Sequence, residues 1–216
     1  MISLKTLHRS NAAKAGHYYV DQKDDYYSRD GSCAQWQGQG AQLLGLSGEV
    51  NQKQFTAALK GDFGPGVKLA KSVRKDAKSR AGEDLTFSAP KSVSIRHETA
   101  RPSRSDPADP QLHTHAIIMN ATRRADGAWV ALANEQIYKN KKLLDTIYKS
   151  EMAAQLEKAG YVLRYEKDGF EMAHISREQI ELFSKRGMTV EAELAMMGKT
   201  RQTASHDLKQ TITLAT

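Results

Sequence analysis

A strand that begins with two histidines constrains the fold of this chain more than any other segment. Residues 115–122, HAIIMNAT, are mostly apolar and predict a strand buried in the core. His113 and His115 stand two residues apart at its start. Side chains at i and i+2 project from the same face of a strand, about 6–7 Å apart, so both imidazoles can converge on one ion. The segment therefore indicates a candidate metal site, with ordinary surface or core histidines as the alternative.

Two further strands offer partners for these histidines. Residues 92–97 alternate between polar and apolar side chains and predict a strand that ends at His97, which would supply a third imidazole. Three histidines that leave coordination positions open are typical of a catalytic rather than a structural metal site. Asp84 begins another alternating segment, 84–88. Its carboxylate would orient a ligand histidine or accept a proton, or else it only caps the strand.

Two tyrosine pairs near the start of the chain, Tyr18-Tyr19 and Tyr26-Tyr27, are candidate nucleophiles. A tyrosine hydroxyl has an ordinary pKa of about 10, so it needs a nearby cation or base to react at neutral pH. A metal ion on a phosphodiester would supply that positive field. The product would be a phosphotyrosine linkage, and the second pair would allow a second transfer. Packing at strand edges or interfaces is the alternative.

The composition favours a polyanionic partner. The 216 residues include 32 lysines and arginines against 25 acids, a net charge of +7, and nucleic acid is the commonest partner of such a chain. A soluble protein that is merely basic is the alternative. The single cysteine, Cys33, excludes an intramolecular disulfide. Neither a secretory signal nor a phosphate-binding GxxxxGK[ST] loop is present, and no apolar run approaches the roughly 20 residues of a membrane span, so we expect a cytoplasmic protein.

A lysine-rich segment, residues 68–80, predicts a helix with cations on one face. Such a row can bind successive phosphates, or it can simply be solvated. The candidate DNA-binding residues are Lys68, Lys71, Arg74, Lys75, Lys78 and Lys91.

The remaining pattern predicts alternating strands and helices. Expected strands cover residues 1–7, a short strand at 129–130 after the Asp126-Gly127 turn, and a hairpin over 161–172. Expected helices cover residues 51–60 with Gly61 as the stop, a long stretch from the N-cap Asn134 to Ala159, and two helices that open at Ser176 and Thr189. We expect the tail from residue 200 to be loosely ordered.

Four segments carry a resemblance to a known family. HYYV with DDYYSRD, LTFSAPKSVS, RHETARPS with DPQLHTHAIIMNATRRADGAW, and LDTIYKSEMAAQLEKAGYVLRY resemble conjugative relaxases of the MobF class, the N-terminal transesterase domains of plasmid relaxase–helicases within the HUH endonucleases. The resemblance implies an α+β fold with a central antiparallel sheet flanked by helices. Residues 1–175 would be the relaxase catalytic domain. Residues 176–216 would be a C-terminal helical segment that packs over the DNA cleft, with a partly disordered tail.

The resemblance also implies a reaction. Relaxases nick one strand at a plasmid origin of transfer, so that a tyrosine is joined to the 5′ phosphate and a 3′ hydroxyl is left. By motif, Tyr18 resembles the first nucleophile and Tyr26 the tyrosine of the second transfer, with Tyr19 and Tyr27 as neighbours able to substitute. The residues that resemble the metal triad are His97, His113 and His115. Asp84 resembles the acid that orients a triad histidine or accepts the proton.

Cofactor and partners follow from the same resemblance. It implies Mg²⁺ or Mn²⁺, whereas three imidazoles alone would favour Zn²⁺. The implied partners are single-stranded DNA at the origin of transfer, relaxosome accessory proteins and the coupling protein of a type IV secretion system. We expect a monomer in the bacterial cytoplasm that is transferred to the recipient cell with its DNA. Two other functions stay open, a single-stranded-DNA-binding module with impaired catalysis and an unrelated metallohydrolase.

The sequence departs from the family in two places. A long stretch that separates KSVS from RHET in relaxases is absent between Ile95 and Arg96. Natural deletion, engineering and unobserved residues are the three explanations, and we favour the last because the tyrosine and histidine motifs are otherwise intact. The chain also has no helicase portion after Thr216, and we expect an excised N-terminal domain.

Overall fold

The computed structural model describes residues 1–21, 34–69, 79–99, 111–200, 203–205, 208 and 211–212. The strands are β1 (Ile2–His8), β2 (Arg80–Ser88), β3 (His113–Met119), β4 (Thr122–Arg123), β5 (Trp129–Val130), β6 (Leu163–Glu166) and β7 (Gly169–Met172). The helices are α1 (Ala12–Gly16), α2 (Gln39–Leu43), α3 (Gln52–Leu59), α4 (Lys91–Thr99), α5 (Glu135–Lys139), α6 (Lys141–Lys158), α7 (Arg177–Leu182) and α8 (Lys185–Met196). The predicted α+β class is confirmed. Among the described residues, no helix is both long and apolar enough to cross a membrane.

A three-stranded sheet has the order β1-β2-β3, with β2 in the centre. β1 and β2 are antiparallel, and their register places Lys5 opposite Asp84 and Thr6 opposite Glu83. Successive side chains of a strand point to opposite faces, so Glu83 and Asp84 project from opposite faces of β2. Both acids are almost fully buried. Two neighbouring carboxylates on the central strand therefore belong to two separate environments.

The described chain packs as two compact units. The sheet unit comprises Ile2–Phe87 and His115–Lys142, and the hairpin unit comprises Met1, Ser88–Thr114 and Leu143–Thr216. The core of the sheet unit contains Leu7, Phe55 and Leu59, where α1 packs against α3. In the hairpin unit α4 packs against β7, and the core residues are Val93, Ile95, Ala153, Phe170, Met172 and Ile175.

Several predicted elements are confirmed at close to their expected bounds. β1 occupies the expected first strand, β4 and β5 form the expected pair, and β6 and β7 form the expected hairpin. The Asn51 side chain accepts a hydrogen bond from the Lys53 amide at 2.9 Å and caps α3. Gly61 follows α3 with a φ of 88°, a conformation that ends helices and that glycine adopts without strain.

The predicted strand at residues 92–97 is wrong, because this segment lies in α4. The alternating serines suggested a solvated face, but Ser92 and Ser94 are as buried as Val93 and Ile95. Their hydroxyls bind the backbone instead of water. Ser92 Oγ accepts from the Met172 amide at 2.7 Å, and Ser94 Oγ donates to the Pro90 carbonyl at 3.2 Å. Because the four successive residues 92–95 are all buried, this part of the helix has no period that separates it from a strand.

Two helix boundaries also differ from the prediction. The long helix from Asn134 is two helices, α5 and α6, separated at Asn140. Asn134 makes no cap bond, because its amide donates to Glu83 and accepts from Arg80 across the sheet unit. α7 begins directly after Ser176, which caps it in a capping box, as expected. The following helix starts at Lys185 rather than at Thr189.

Gly82 controls how closely β2 approaches β3. A Cβ at this position would lie 2.5 Å from the Ile118 carbonyl oxygen and 3.5 Å from the Met119 Cα, both backbone atoms. We expect Gly82→Ala to lower the free energy of unfolding by about 3 kcal/mol, because the two strands must separate to admit the methyl group. Urea unfolding measures this. Gly40→Ala is the control, since nothing lies within 4 Å of that Cβ. Equal stability of the Gly82→Ala protein and the wild type would contradict the close approach.

Candidate active site

A π-helical turn presents the first tyrosine pair. α1 ends at Gly16, and residues His17–Asp21 continue as a π-helical turn that carries Tyr18 and Tyr19. A Cβ on Gly16 would lie 2.2 Å from Thr56 Oγ1, so the absence of a side chain lets α1 pack closely on α3. π-helical turns are rare and recur at functional sites. This packing fixes the position of the backbone that carries both tyrosines.

Four polar side chains of the sheet unit, those of Tyr19, Asp84, Thr86 and His115, meet on one face of β2. The Tyr19 hydroxyl donates to Asp84 Oδ2 at 2.7 Å. His115 Nδ1 lies 3.0 Å from each Asp84 carboxylate oxygen. The Thr86 hydroxyl lies 3.4 Å from Asp84 Oδ1 and 3.2 Å from His115 Nδ1. We call Tyr18, Tyr19, Asp84, Thr86 and His115 the tyrosine–histidine cluster.

Tyr18 is the accessible member of this cluster. Its side chain packs edge-on against two rings, with centroids 4.8 Å from Tyr19 and 5.9 Å from His115. The residue is nevertheless 48% exposed, whereas Asp84 is only 3% exposed. A ligand can therefore approach the Tyr18 side chain beside the His115 ring without displacing the buried carboxylate.

Burial and hydrogen bonding shift the pKa values of two groups in opposite directions. Burial, followed by the hydrogen bond to Asp84, raises the pKa of the Tyr19 hydroxyl well above its ordinary value of 10. Burial would also raise the pKa of Asp84, but hydrogen bonds from His115, Tyr19 and Thr86 together outweigh it, so this pKa is lowered. Tyr19 therefore stays protonated and Asp84 stays ionised at neutral pH.

The two histidines of β3 have the tautomer that metal ligands need. The Asp84 carboxylate beside His115 Nδ1 can only accept, so Nδ1 carries a proton, and in the neutral ring the lone pair is on Nε2. His113 Nδ1 lies 2.9 Å from the Gln111 carbonyl oxygen, which imposes the same tautomer. Ligand histidines usually donate their other nitrogen to a carboxylate or carbonyl in this way. The chemistry of both rings fits a metal ion at Nε2.

The structure brings some predicted site residues together, and it places His113 at the start of β3. Tyr18, Tyr19, Asp84 and His115 are together in the tyrosine–histidine cluster. His97 lies in α4 of the hairpin unit, and in the described part of the chain no three His, Cys, Asp or Glu side chains are grouped to hold a metal ion. Tyr26, Tyr27, Lys71, Arg74, Lys75 and Lys78 lie outside the described residues, as does most of the helix predicted at 68–80.

The two predicted DNA-binding lysines that are described have different settings. Lys68 pairs with Asp62 at 3.2 Å on the surface of the sheet unit. Lys91 is the first residue of α4 in the hairpin unit. Their predicted role in DNA binding stays a prediction.

Sequence reasoning missed two residues on β2. Thr86 shares a face with Asp84 because it lies two positions further along the strand, and that spacing was the available signal. Glu83 lies on the other face, where its carboxylate accepts from the Tyr138 hydroxyl at 2.7 Å and from the Thr6 hydroxyl at 3.0 Å. An acid on each face of a central strand signals that both faces carry polar networks.

Comparison with known proteins decides the family. The sequence model of the TrwC relaxase family matches residues 12–105 and 94–216, which together span nearly the whole chain. The chain belongs to the TrwC relaxase family. The expected resemblance to MobF-class conjugative relaxases is therefore confirmed.

Solved structures of TrwC resemble the whole chain. A metal-bound structure of the conjugative relaxase TrwC in complex with oriT DNA is 37% identical, with a TM-score of 0.84 over 100% of this chain and 90% of that one. A copper-bound TrwC complex with oriT DNA is 38% identical, with a TM-score of 0.85 over the same shares. A curated relative, the multifunctional conjugation protein TraI of Escherichia coli, is 30% identical over 70% of this chain. The aligned part of this chain spans only 12% of the length of TraI.

The family match is interrupted where the expected stretch is absent. The two matched segments meet at residues 94–105, which include the junction of Ile95 and Arg96. In the structure α4 runs through this junction. The alignment with TraI covers 212 residues but only 70% of the 216 residues of this chain, as expected if TraI has an additional stretch.

Proposed function

We propose that this relaxase domain nicks and rejoins one DNA strand at a plasmid origin of transfer through a covalent 5′-phosphotyrosine intermediate. The observation that carries the proposal is the exposed Tyr18 side chain beside His115, whose ring is oriented by the buried Asp84 carboxylate. Tyrosine, imidazole and carboxylate in this order suit transfer of a phosphodiester rather than hydrolysis.

The proposed step exchanges one phosphate ester for another. The Tyr18 phenolic oxygen forms a bond to phosphorus and gives up its proton to water, while the bond from phosphorus to the 3′ oxygen breaks. The electron pair leaves with the 3′ oxygen, which takes up a proton and becomes a hydroxyl. Rejoining is the reverse transfer, and Tyr26 would accept a strand in a second transfer, with Tyr19 and Tyr27 as the neighbouring tyrosines.

A divalent metal ion completes the proposal, with Mg²⁺ or Mn²⁺ expected and Zn²⁺ as the alternative. His113 and His115 would hold it through Nε2, and His97 is proposed as the third ligand. When bound, the ion would withdraw charge from the phosphate oxygens and favour the ionised phenol. Asp84 would keep the His115 ring in the ligand tautomer.

The proposed function also implies a domain organisation and a set of binding partners. We propose residues 1–175 as the catalytic domain and 176–216 as a helical segment over bound DNA. Single-stranded DNA at the origin of transfer is the proposed substrate, and relaxosome accessory proteins and a secretion coupling protein are the proposed partners of a monomer. The net charge of +7 favours attraction of DNA to the protein.

A second candidate function is a single-stranded-DNA-binding module with impaired catalysis. One observation favours it. α4 runs through the junction at which the two family matches overlap. Such a module would bind DNA in a salt-sensitive manner and would form no covalent product.

A gel assay separates the two functions. The protein is mixed with a single-stranded oligonucleotide that carries the origin of transfer, with Mn²⁺ or with EDTA, and then denatured. We expect an adduct that survives the denaturant in Mn²⁺ and is absent in EDTA. Salt-sensitive binding without an adduct under either condition would support the binding module and reject the nicking proposal.

Removal of His113 tests the metal role. We expect His113→Ala to slow adduct formation by about 100-fold because the phosphate loses most of the metal's charge stabilisation. Affinity for the oligonucleotide, measured by fluorescence anisotropy, should be nearly unchanged. His174→Ala is a matched control, since His174 stacks on Tyr161 within the hairpin unit. An equal loss of affinity and rate in the His113→Ala protein would argue against a purely metal role.

A further inference from the structure

The adjacent tyrosines of the first pair have different environments, and the inference from this difference rests on the proposed function. The Tyr19 ring packs against Phe55, with centroids 6.2 Å apart, and joins the core of the sheet unit. Its hydroxyl points inward and donates to Asp84 at 2.7 Å. The Tyr18 ring stands at 87° to the Tyr19 ring and is 48% exposed. One tyrosine is anchored and the other is accessible.

We propose that Tyr19 is a positioning residue, whose hydroxyl holds the Asp84 carboxylate against His115 and thereby leaves Tyr18 as the nucleophile of this pair. The carboxylate is buried and needs several donors to hold one orientation. Tyr19 makes the shortest of its hydrogen bonds, at 2.7 Å, while His115 Nδ1 lies 3.0 Å from each oxygen. Thr86, at 3.4 Å, contributes the weakest contact.

Two properties exclude Tyr19 as an equivalent substitute for Tyr18. Its hydroxyl donates to a carboxylate that itself orients His115, so attack by Tyr19 would break the contact that positions the histidine. An ionised Tyr19 phenol would also face the Asp84 carboxylate, 2.7 Å away in a buried setting. Tyr19 therefore positions the carboxylate, and Tyr18 attacks the phosphate.

The first test uses metal-free protein, so that it does not depend on the nicking proposal. The ¹H–¹⁵N spectrum of the His115 ring is recorded for the wild type, Tyr19→Phe and Tyr165→Phe. Tyr165 is the matched control, because its hydroxyl also donates to a carboxylate at 2.7 Å, that of Glu157 in the hairpin unit. We expect Tyr19→Phe, but not Tyr165→Phe, to lower the population of the Nδ1–H tautomer of His115 and to speed exchange of the Nδ1 proton with solvent. An unchanged His115 spectrum would overturn the proposal.

The second test uses turnover and metal binding. We expect Tyr19→Phe to form its adduct at Tyr18, with kcat lowered about tenfold and KM for the oligonucleotide unchanged. Its Mn²⁺ affinity, measured by calorimetry, should fall about tenfold, the lower end of the effect of losing the outer partner of a metal ligand, because Tyr19 acts on His115 only through Asp84. Full kcat and full Mn²⁺ affinity in Tyr19→Phe, or an adduct at Tyr19 in Tyr18→Phe, would overturn the proposal. If the wild type forms no adduct, the proposed function fails while the His115 spectrum still decides the role of Tyr19.

Discussion

Tyr18→Phe is expected to abolish the covalent protein–DNA adduct at the first pair, with a loss of at least about 1,000-fold in the rate of adduct formation. The substitution removes one oxygen atom and keeps the ring. The edge-on packing of residue 18 against Tyr19 and His115 should therefore persist. Because the residue is 48% exposed, loss of its hydroxyl should cost little stability.

The measurement is quantification of the adduct on a denaturing gel after reaction with the oligonucleotide in Mn²⁺. DNA affinity and thermal unfolding are measured in parallel and should match the wild type. Tyr165→Phe again serves as the matched control and should retain the full rate. An adduct formed by Tyr18→Phe at the wild-type rate would show that another residue is the nucleophile.

Glu83→Ala is expected to lower the free energy of unfolding by about 3 kcal/mol or more, because it leaves several donors without their acceptor. Glu83 is 1% exposed and accepts hydrogen bonds from Tyr138 and Thr6, while the Asn134 amide donates to its other oxygen. The Arg80 guanidinium lies 4.0 Å away and is held by Asn120 and Asn134. This network fastens β2 to β1 and to the segment before α5.

Urea unfolding of Glu83→Ala, compared with Glu178→Ala, tests this role. Glu178 is an exposed residue of α7, and its removal should leave the free energy of unfolding nearly unchanged. We also expect the adduct rate of Glu83→Ala to fall, because Asp84 is the next residue on the same strand. A Glu83→Ala protein as stable as Glu178→Ala would show that the network contributes little.

The fold could largely be predicted where one face of an element is solvated. β1, α3 and the β6–β7 hairpin could be predicted because each shows, in the sequence itself, a periodic spacing of apolar residues or a glycine at a turn or helix end. α4 could not be predicted, because Ser92 and Ser94 are buried and satisfy their hydroxyls on the backbone at Met172 and Pro90. Those partners are distant in sequence or become available only once the helix forms.

Part of the tyrosine–histidine cluster could be predicted from the sequence, but the different roles of its two tyrosines could not. Motif and spacing brought Tyr18, Asp84 and His115 into one hypothesis, and the structure places them together. The inward direction of Tyr19 depends on the π-helical turn and on the Phe55 ring, and neither has a sequence signature. The different faces of Glu83 and Asp84 follow from strand period, but their partners follow only from the register.

Peptide mapping of the trapped adduct tests the central claim most directly. After reaction with the oligonucleotide and digestion with protease and nuclease, mass spectrometry locates the residue that carries the nucleotide phosphate. The account predicts phosphate on the Tyr18 oxygen of the wild-type protein. Phosphate on Tyr19, on a serine or on a histidine, or no modified peptide from a reaction that cleaves the DNA, would contradict it.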